Sequence, residues 1–273
     1  GLDLMGFPTL QGRRVVGIFR DNTHFAAYLA TLTPLLFLTL LPRSRLLTII
    51  VIILTAIAIV LSGVRSSWIM LCLACVMLLY VYPFRHRVMA LGTAAGIVCV
   101  AAAVAFSPIV KNKFNQTVSG FEWSYSGIDR VLSYRLQIWD TATRMANAHP
   151  LTGVGVQAFR EAYEQYEHEP GTFRKTAGFP VNHAHHAYIS VWAESGYPGL
   201  LALLAIWVLL LRWYFRTPRE QRRQALPYAM GQLVVMFPLN SQPILYSGWW
   251  FTVLLLLTAL MLAALDDKPA ENV

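Results

Sequence analysis

Three histidines lie within a short stretch of the chain, at positions 183, 185 and 186. Imidazole is both a common metal ligand and a common general base. Two metal ligands on one helical face need a spacing of about four residues, as in His-Glu-x-x-His, and this cluster lacks that spacing. A histidine near a helix N-terminus is biased towards the neutral form that a base requires. The cluster therefore predicts either a general base without a bound metal or a polar group on a hydrated loop.

Two arginines are candidates for binding an anion. Arg65 is a single cation in a short turn between two apolar runs. Its guanidinium stays charged at any pH and offers a planar set of donors to phosphate oxygens, although it could equally anchor the chain at lipid headgroups. Arg135 shares a helical face with Trp139 at i, i+4, a spacing that by itself favours an exposed arginine stacked on the indole.

The composition indicates where such residues would have to work. The chain has 273 residues, of which 56% are hydrophobic and 13% charged, and its mean hydropathy is +0.49. Ordinary soluble domains are about one quarter charged, so a soluble globular enzyme is excluded. The formal net charge of +8 comes from cations beside the apolar runs, whereas residues 107–197 are electrically balanced. Nucleic acid is therefore not an expected partner.

Seven apolar runs predict membrane-spanning helices. They cover residues 25–41, 46–61, 68–82, 88–106, 199–215, 226–239 and 249–265. The sixth run contains Pro227, Gln232 and Pro238, which predicts a broken or protein-buried helix. The predicted fold is an all-α integral membrane protein, a polytopic helical bundle of about seven spans.

Lysine and arginine concentrate in alternate connections, which should therefore be cytoplasmic. The regions predicted are an N-terminal membrane region (1–106), a large, mainly helical periplasmic loop (107–197) and a C-terminal membrane region with a cytoplasmic tail (198–273). Within the loop, helices are expected over residues 134–148 and 182–195, the second with Asn182 as N-cap. Because the chain begins with Gly1 instead of Met, we expect an N-terminally truncated piece of a longer protein.

Four short segments follow one another in an order that resembles a known superfamily. They are residues 17–26 with Asn22 and His24, residues 61–67 around Arg65, residues 135–139 followed by 149–155, and residues 185–189 with Glu194, Gly196 and Gly199 behind them. They resemble the Gly-x-Phe-x-Asn-x-Asn, Ser-Arg-Gly, Arg-x-x-x-Trp with Pro-Leu-x-Gly-x-Gly, and His-Asn-x-Tyr-Leu motifs of the O-antigen ligase and polymerase superfamily. His186 stands where that superfamily has Asn.

The resemblance implies a metal-independent glycosyltransferase that needs no cofactor. Arg65 and Arg135 would bind the pyrophosphate of an undecaprenyl-diphosphate-linked glycan, and His185 would take the proton of the acceptor hydroxyl. The further residues that the resemblance places at the substrate are Asn22, Trp139, His186 and Tyr188. The enzyme would lie among the lipids of the bacterial inner membrane, with its active site facing the periplasm.

The chain most resembles the O-antigen ligases, so the expected acceptor is the lipid A core oligosaccharide, with two other acceptors as alternatives. The lipid A core oligosaccharide would make the protein an O-antigen ligase, another lipid-linked repeat unit a polymerase, and a protein hydroxyl an O-oligosaccharyltransferase. A flippase for the lipid-linked glycan is the alternative of a different class. A flippase should carry charged residues within its spans, and these spans are nearly free of them.

Overall fold

The structure, a computed structural model, describes residues 10–11, 14–15, 21–81, 124–178 and 180–266, with the isolated residues 111, 115 and 118. The fourth predicted span, residues 88–106, lies outside these residues. The helices are α1 (Asn22–Leu40), α2 (Arg45–Leu61), α3 (Arg65–Val81), α4 (Tyr125–Val131), α5 (Arg135–Ala148), α6 (Phe159–Tyr166), α7 (Thr172–Ala177), α8 (Ala187–Arg216), α9 (Arg219–Val235) and α10 (Gly248–Asp266). Two short antiparallel strands, β1 (Leu10–Gln11) and β2 (Arg14–Val15), precede them.

Among the described helices, α1, α8 and α10 are long and apolar enough to cross a membrane. The helical stretches Arg45–Leu61 and Arg65–Leu78 are also apolar but shorter. Large side chains such as Leu201, Val208 and Leu256 are more than half exposed, as expected of a surface that faces lipid. The protein is therefore a helical membrane protein, whereas the number of seven spans stays a prediction.

The sixth predicted span, residues 226–239, differs from α9 at both ends. The helix begins earlier, at Arg219, and ends at Val235. Pro238 disfavours helical geometry at the residue before it, and the Asn240 side chain donates to the Val235 carbonyl at 2.7 Å. This bond satisfies a carbonyl that the end of the helix leaves without an intrahelical partner.

The chain divides into two compact units. The first comprises Gly1–Asn115, Arg219–Asn240 and Leu254–Val273. In it α1 packs against α2, α3 and α9. Ala26, Ala27 and Ala30 of α1 are buried, and such small residues let helix backbones approach closely. Gly231 of α9 extends this packing, because a Cβ there would lie 2.9 Å from the Leu35 side chain of α1.

The second unit comprises Gln116–Pro218 and Ser241–Val253. In it α5 packs against α6 and α8. The core includes Ile138, Ala142, Met145, Phe159, Tyr163, Phe173, Val181, Ala184 and Ala193. The helix predicted over residues 134–148 is confirmed, since α5 covers Arg135–Ala148.

The helix predicted over residues 182–195 begins later than expected. Helix α8 starts at Ala187, and its N-cap is His186, so the assignment of Asn182 as N-cap is wrong. His185 has a positive φ of 52°, which cannot continue into a helix. Beyond residue 195, α8 runs on to Arg216 across a kink at Gly196, where φ is 66° and ψ is −166°.

Candidate active site

The histidine segment, residues 183–186, directs two imidazoles at one backbone carbonyl. The His183 Nε2 lies 2.8 Å and the His185 Nδ1 lies 3.0 Å from the Ser241 oxygen. A carbonyl oxygen can only accept, so both ring nitrogens must carry the hydrogen. Because a neutral imidazole has one N–H, this assigns the lone pair of His185 to Nε2. His185 thus has a fixed tautomer with a basic nitrogen that the carbonyl does not occupy.

The surroundings of His185 keep it neutral. Burial first, and then the nearby His183 and Arg135, lower the pKa of this histidine to about 3, although the Ser241 hydrogen bond acts in the opposite direction. Removing an imidazolium from water is costly, and positive neighbours add to that cost. The unprotonated form is therefore the form present at neutral pH.

His186 has a different task from its neighbour. Its Nδ1 accepts the Ile189 N–H at 3.3 Å and so caps α8. Its ring meets those of Trp139 and Tyr188 edge to face, with centroid distances of 5.4 and 5.9 Å. Burial, followed by Arg135, lowers the pKa of His186. An asparagine is also a favoured N-cap, so His186 performs the capping that the superfamily's Asn could perform.

Trp139 ties the histidine segment to α5. Its indole Nε1 donates to the Ala184 carbonyl at 3.0 Å, across 45 residues of sequence. Ala184 is fully buried. The histidine segment is therefore held at the Ala184 carbonyl by Trp139 and at the two flanking imidazoles by Ser241. Arg135 precedes Trp139 by one helical turn, on the same helix.

The turn before Arg135 is held in an uncommon conformation. Ser133 and Tyr134 both have positive φ, 60° and 62°, and Tyr134 makes no side-chain cap to α5. The capping comes from buried Asp129, whose carboxylate accepts the Leu136 N–H at 2.8 Å. Non-glycine residues in the left-handed region are maintained only when their surroundings determine them, and here Asp129 and α5 do so.

Residues 150–154 pack closely against residues 193–197, at the kink of α8. A Cβ on Gly153 would lie 2.2 Å from the Glu194 backbone, and one on Gly196 would lie 2.5 Å from the Pro150 carbonyl oxygen. The Val154 N–H donates to the Ala193 carbonyl at 2.9 Å, and the Tyr197 N–H donates to the Pro150 carbonyl at 2.7 Å. These bonds satisfy backbone groups at the α8 kink. The close approach leaves no room for a Cβ, and the positive φ of Gly153 and Gly196, 63° and 66°, also favours glycine.

In the first unit, Arg65 is the first residue of α3 and is half-buried. Gly63 before it has a φ of 71°. The buried Asn22 side chain donates to the Ser62 carbonyl at 2.9 Å, 40 residues away in sequence. Asn22 was expected to bind substrate, and the structure gives its amide nitrogen a different partner, the turn that carries Arg65.

The predicted site residues fall into two groups. The second unit contains Arg135, Trp139, His185, His186 and Tyr188, and the first contains Asn22 and Arg65. Among the described residues, no group of three or more His, Cys, Asp or Glu side chains is arranged to hold a metal ion.

Sequence reasoning missed two residues that position this site, Asp129 and Ser241. Asp129 caps α5 from the preceding helix, and no motif of the sequence indicates that contact. Ser241 lies in the polar stretch 240–243 between two apolar runs, and such a stretch was a signal for a structured turn.

Comparison with known proteins agrees with the motifs. The family model described as O-antigen ligase matches residues 50–204, more than half of the chain. The matched region includes Arg65, Arg135 and His185, and it excludes Asn22 and Ser241. No curated protein matches the chain. The chain therefore belongs to the O-antigen ligase family, whose members are membrane glycosyltransferase-type enzymes that act on lipid-linked glycans.

Proposed function

We propose that the protein is an O-antigen ligase, which moves a glycan from undecaprenyl diphosphate to the lipid A core oligosaccharide at the periplasmic face of the inner membrane. The observation that carries the proposal is the His185 imidazole. Its Nδ1–H is bound to the Ser241 carbonyl, which leaves the Nε2 lone pair for a proton. Family membership supplies the reaction class.

The reaction needs one base and a stabilised leaving group. The acceptor oxygen attacks the anomeric carbon and passes its proton to His185 Nε2. The bond from the anomeric carbon to the diphosphate oxygen breaks, and its electron pair leaves with undecaprenyl diphosphate. Attack opposite the leaving group inverts the anomeric configuration. Diphosphate is already a weak base, so developing negative charge must be stabilised but no strong acid is required.

The arginines supply that stabilisation in the proposed mechanism. Arg135 is close enough to His185 and His186 for its charge to lower the pKa of both. Arg65 opens α3, a 17-residue helix with no acidic residue in its first turn. The positive end of a helix dipole and a guanidinium together favour an anion such as a diphosphate.

Asn22, Trp139 and Tyr188 are assigned supporting roles. Asn22 positions the Arg65 turn through the Ser62 carbonyl, and Trp139 positions the histidine segment through Ala184. Tyr188, stacked edge to face against His186, provides an aromatic surface for the substrate. The mechanism uses no metal and no cofactor.

The test is a lipopolysaccharide gel, with parallel extraction of lipid-linked glycans, from cells that lack the gene. The cells are complemented with wild type, His185→Ala or the matched control His168→Ala, whose side chain is 79% exposed. We expect His185→Ala alone to remove long glycan from the lipid A core and to accumulate it on the polyprenyl carrier.

Other outcomes identify the alternatives. Loss of only the longer ladder, with single repeats still on the core, would indicate a polymerase. An unchanged ladder with His185→Ala present in the membrane at wild-type level would overturn the proposal.

A further inference from the structure

The turn between α9 and α10, residues 241–247, lies outside the region that the family model matches. Its first residue provides the carbonyl that accepts from both His183 and His185. The direction of a backbone carbonyl is set by the backbone conformation of the segment that contains it. The geometry of both imidazoles therefore depends on how firmly this turn is held.

The turn is fixed internally and from three other segments. Within it, the Ile244 N–H donates to the Gln242 carbonyl at 2.9 Å. From α10, the fully buried Trp250 indole donates to the Gln242 side chain at 3.1 Å. From α8, the Ser195 hydroxyl lies 3.2 Å from the Tyr246 hydroxyl. The Gln157 side chain donates to the Tyr246 carbonyl at 3.2 Å.

Gln157 is itself held in place by a contact with α8. Its φ is 62°, and its backbone N–H donates to the buried Glu194 carboxylate. Ser195 is the residue next to Glu194. The contacts from Ser195 and Gln157 thus both originate near the α8 kink at Gly196. The Tyr246 N–H donates to the Pro243 carbonyl at 3.2 Å, so contacts connect the kink, through Tyr246, to the turn whose first carbonyl orients His185.

We propose that Tyr246, Ser195 and Gln157 are positioning residues for His185, acting through the Ser241 carbonyl. The proposal rests on the proposed function of His185 as the base. A general base must aim one lone pair at the acceptor hydroxyl, and a displacement of about 1 Å can cost about 10²-fold in rate. If the turn moves, the Nδ1–H loses its acceptor and the ring is free to rotate or change tautomer.

The experiment measures glycan transfer by the full-length protein in proteoliposomes, with lipid-linked glycan extracted from ligase-deficient cells as donor and lipid A core lipopolysaccharide as acceptor. Tyr246→Phe and Ser195→Ala each remove one hydroxyl from the same contact. We expect each to lower kcat by about tenfold while KM stays within about twofold, because binding does not need an oriented base. The double variant should be no worse than either single variant, since both lack the same bond.

The matched control is Tyr166→Phe. It removes a phenol hydroxyl that lies 2.7 Å from the His149 ring and does not contact the turn. We expect wild-type kcat for this variant. Gln157→Ala, which keeps the backbone bond to Glu194, should resemble Tyr246→Phe.

The outcomes separate this inference from the proposed function. If His185→Ala is inactive but Tyr246→Phe, Ser195→Ala and Gln157→Ala match Tyr166→Phe, the positioning role is wrong and the base assignment stands. If His185→Ala is fully active, the proposed function itself fails. A change in KM alone, or additive losses in the double variant, would also overturn the positioning role.

Discussion

The Arg65 turn, residues 61–67, and the histidine segment, residues 183–186, are held in place by different means. Short-range backbone bonds shape the Arg65 turn, and Asn22 adds a buried long-range bond to it. The residues around Arg65 are small and include Ser62, Gly63, Ser66 and Ser67. The histidine segment is held by three contacts that span 45, 56 and 58 residues of sequence.

The difference corresponds to what each side chain is proposed to do. A guanidinium stabilises an anion through charge and several donors, so modest changes in its direction are tolerated. A general base acts through one lone pair on one atom, and its orientation must be fixed. The segment with the stricter directional demand is held by contacts from two distant points of the chain, Trp139 and Ser241. Substitutions at the two places can test this contrast.

The largest effect is expected for the base. His185→Ala should lower kcat about 10²- to 10⁴-fold, which is the usual contribution of a positioned general base. KM should change little, because the imidazole acts on the reacting hydroxyl in the transition state. Steady-state kinetics in proteoliposomes measures both, with His168→Ala as control. A kcat within about threefold of wild type would contradict the assignment.

Substitution of Arg65 should cause a smaller loss of kcat, which another cation at this position should partly restore. Arg65→Ala removes a stabilising charge, and we expect kcat to fall about 10²- to 10³-fold, as when one oxyanion donor is removed. Arg65→Lys keeps the charge but lacks the planar set of donors, and its kcat should be about tenfold higher than that of Arg65→Ala. If lysine is as poor as alanine in the same assay, direction matters at Arg65 as much as at His185, and the contrast between the two segments fails.

The parts of this molecule that the sequence predicted are those set by local patterns. Helix α5 was expected from the periodic apolar residues Leu136, Trp139, Ala142 and Met145, and it ends where His149 and Pro150 break the pattern. The apolar runs likewise predicted α2 closely, because a hydrophobic stretch in a membrane has few alternatives to a helix.

The parts that could not be predicted depend on distant contacts. The start of α8 was placed at Asn182, a favourable N-cap by local preference. In the structure the chain continues in a non-helical conformation to His186, because His183 and His185 are turned towards Ser241. A contact across more than 50 residues leaves no periodicity in the sequence. The motifs gave the candidate site residues and the proposed base, His185, whereas the capping by His186 and the anchoring by Trp139 required the geometry.

The cap offers a finer test of the two adjacent histidines. His186→Asn should keep kcat near wild type, since an asparagine oxygen can accept the Ile189 N–H in place of Nδ1. His186→Ala removes the cap and should lower the stability by about 1 kcal/mol. Thermal unfolding in detergent measures the stability of both variants, and the transfer assay measures their kcat. An inactive His186→Asn together with an active His185→Ala would move the base by one position.

The smallest expected change is in the protonation of His185. Its pKa, ordinarily near 6.5, is lowered to about 3 by burial and by the charges of His183 and Arg135. A histidine with a lowered pKa is protonated only below that value, so His185 should stay neutral from about pH 5 to about pH 8, where an unperturbed histidine titrates. Nitrogen-15 spectra of histidine-labelled protein, assigned by the signal lost in His185→Ala, should show a constant Nδ1–H tautomer over this range. A titration midpoint inside it would contradict the burial and the positive surroundings that lower the pKa of His185. A ring found as the Nε2–H tautomer would show that Ser241 does not hold it, and the contrast with the Arg65 turn would fail.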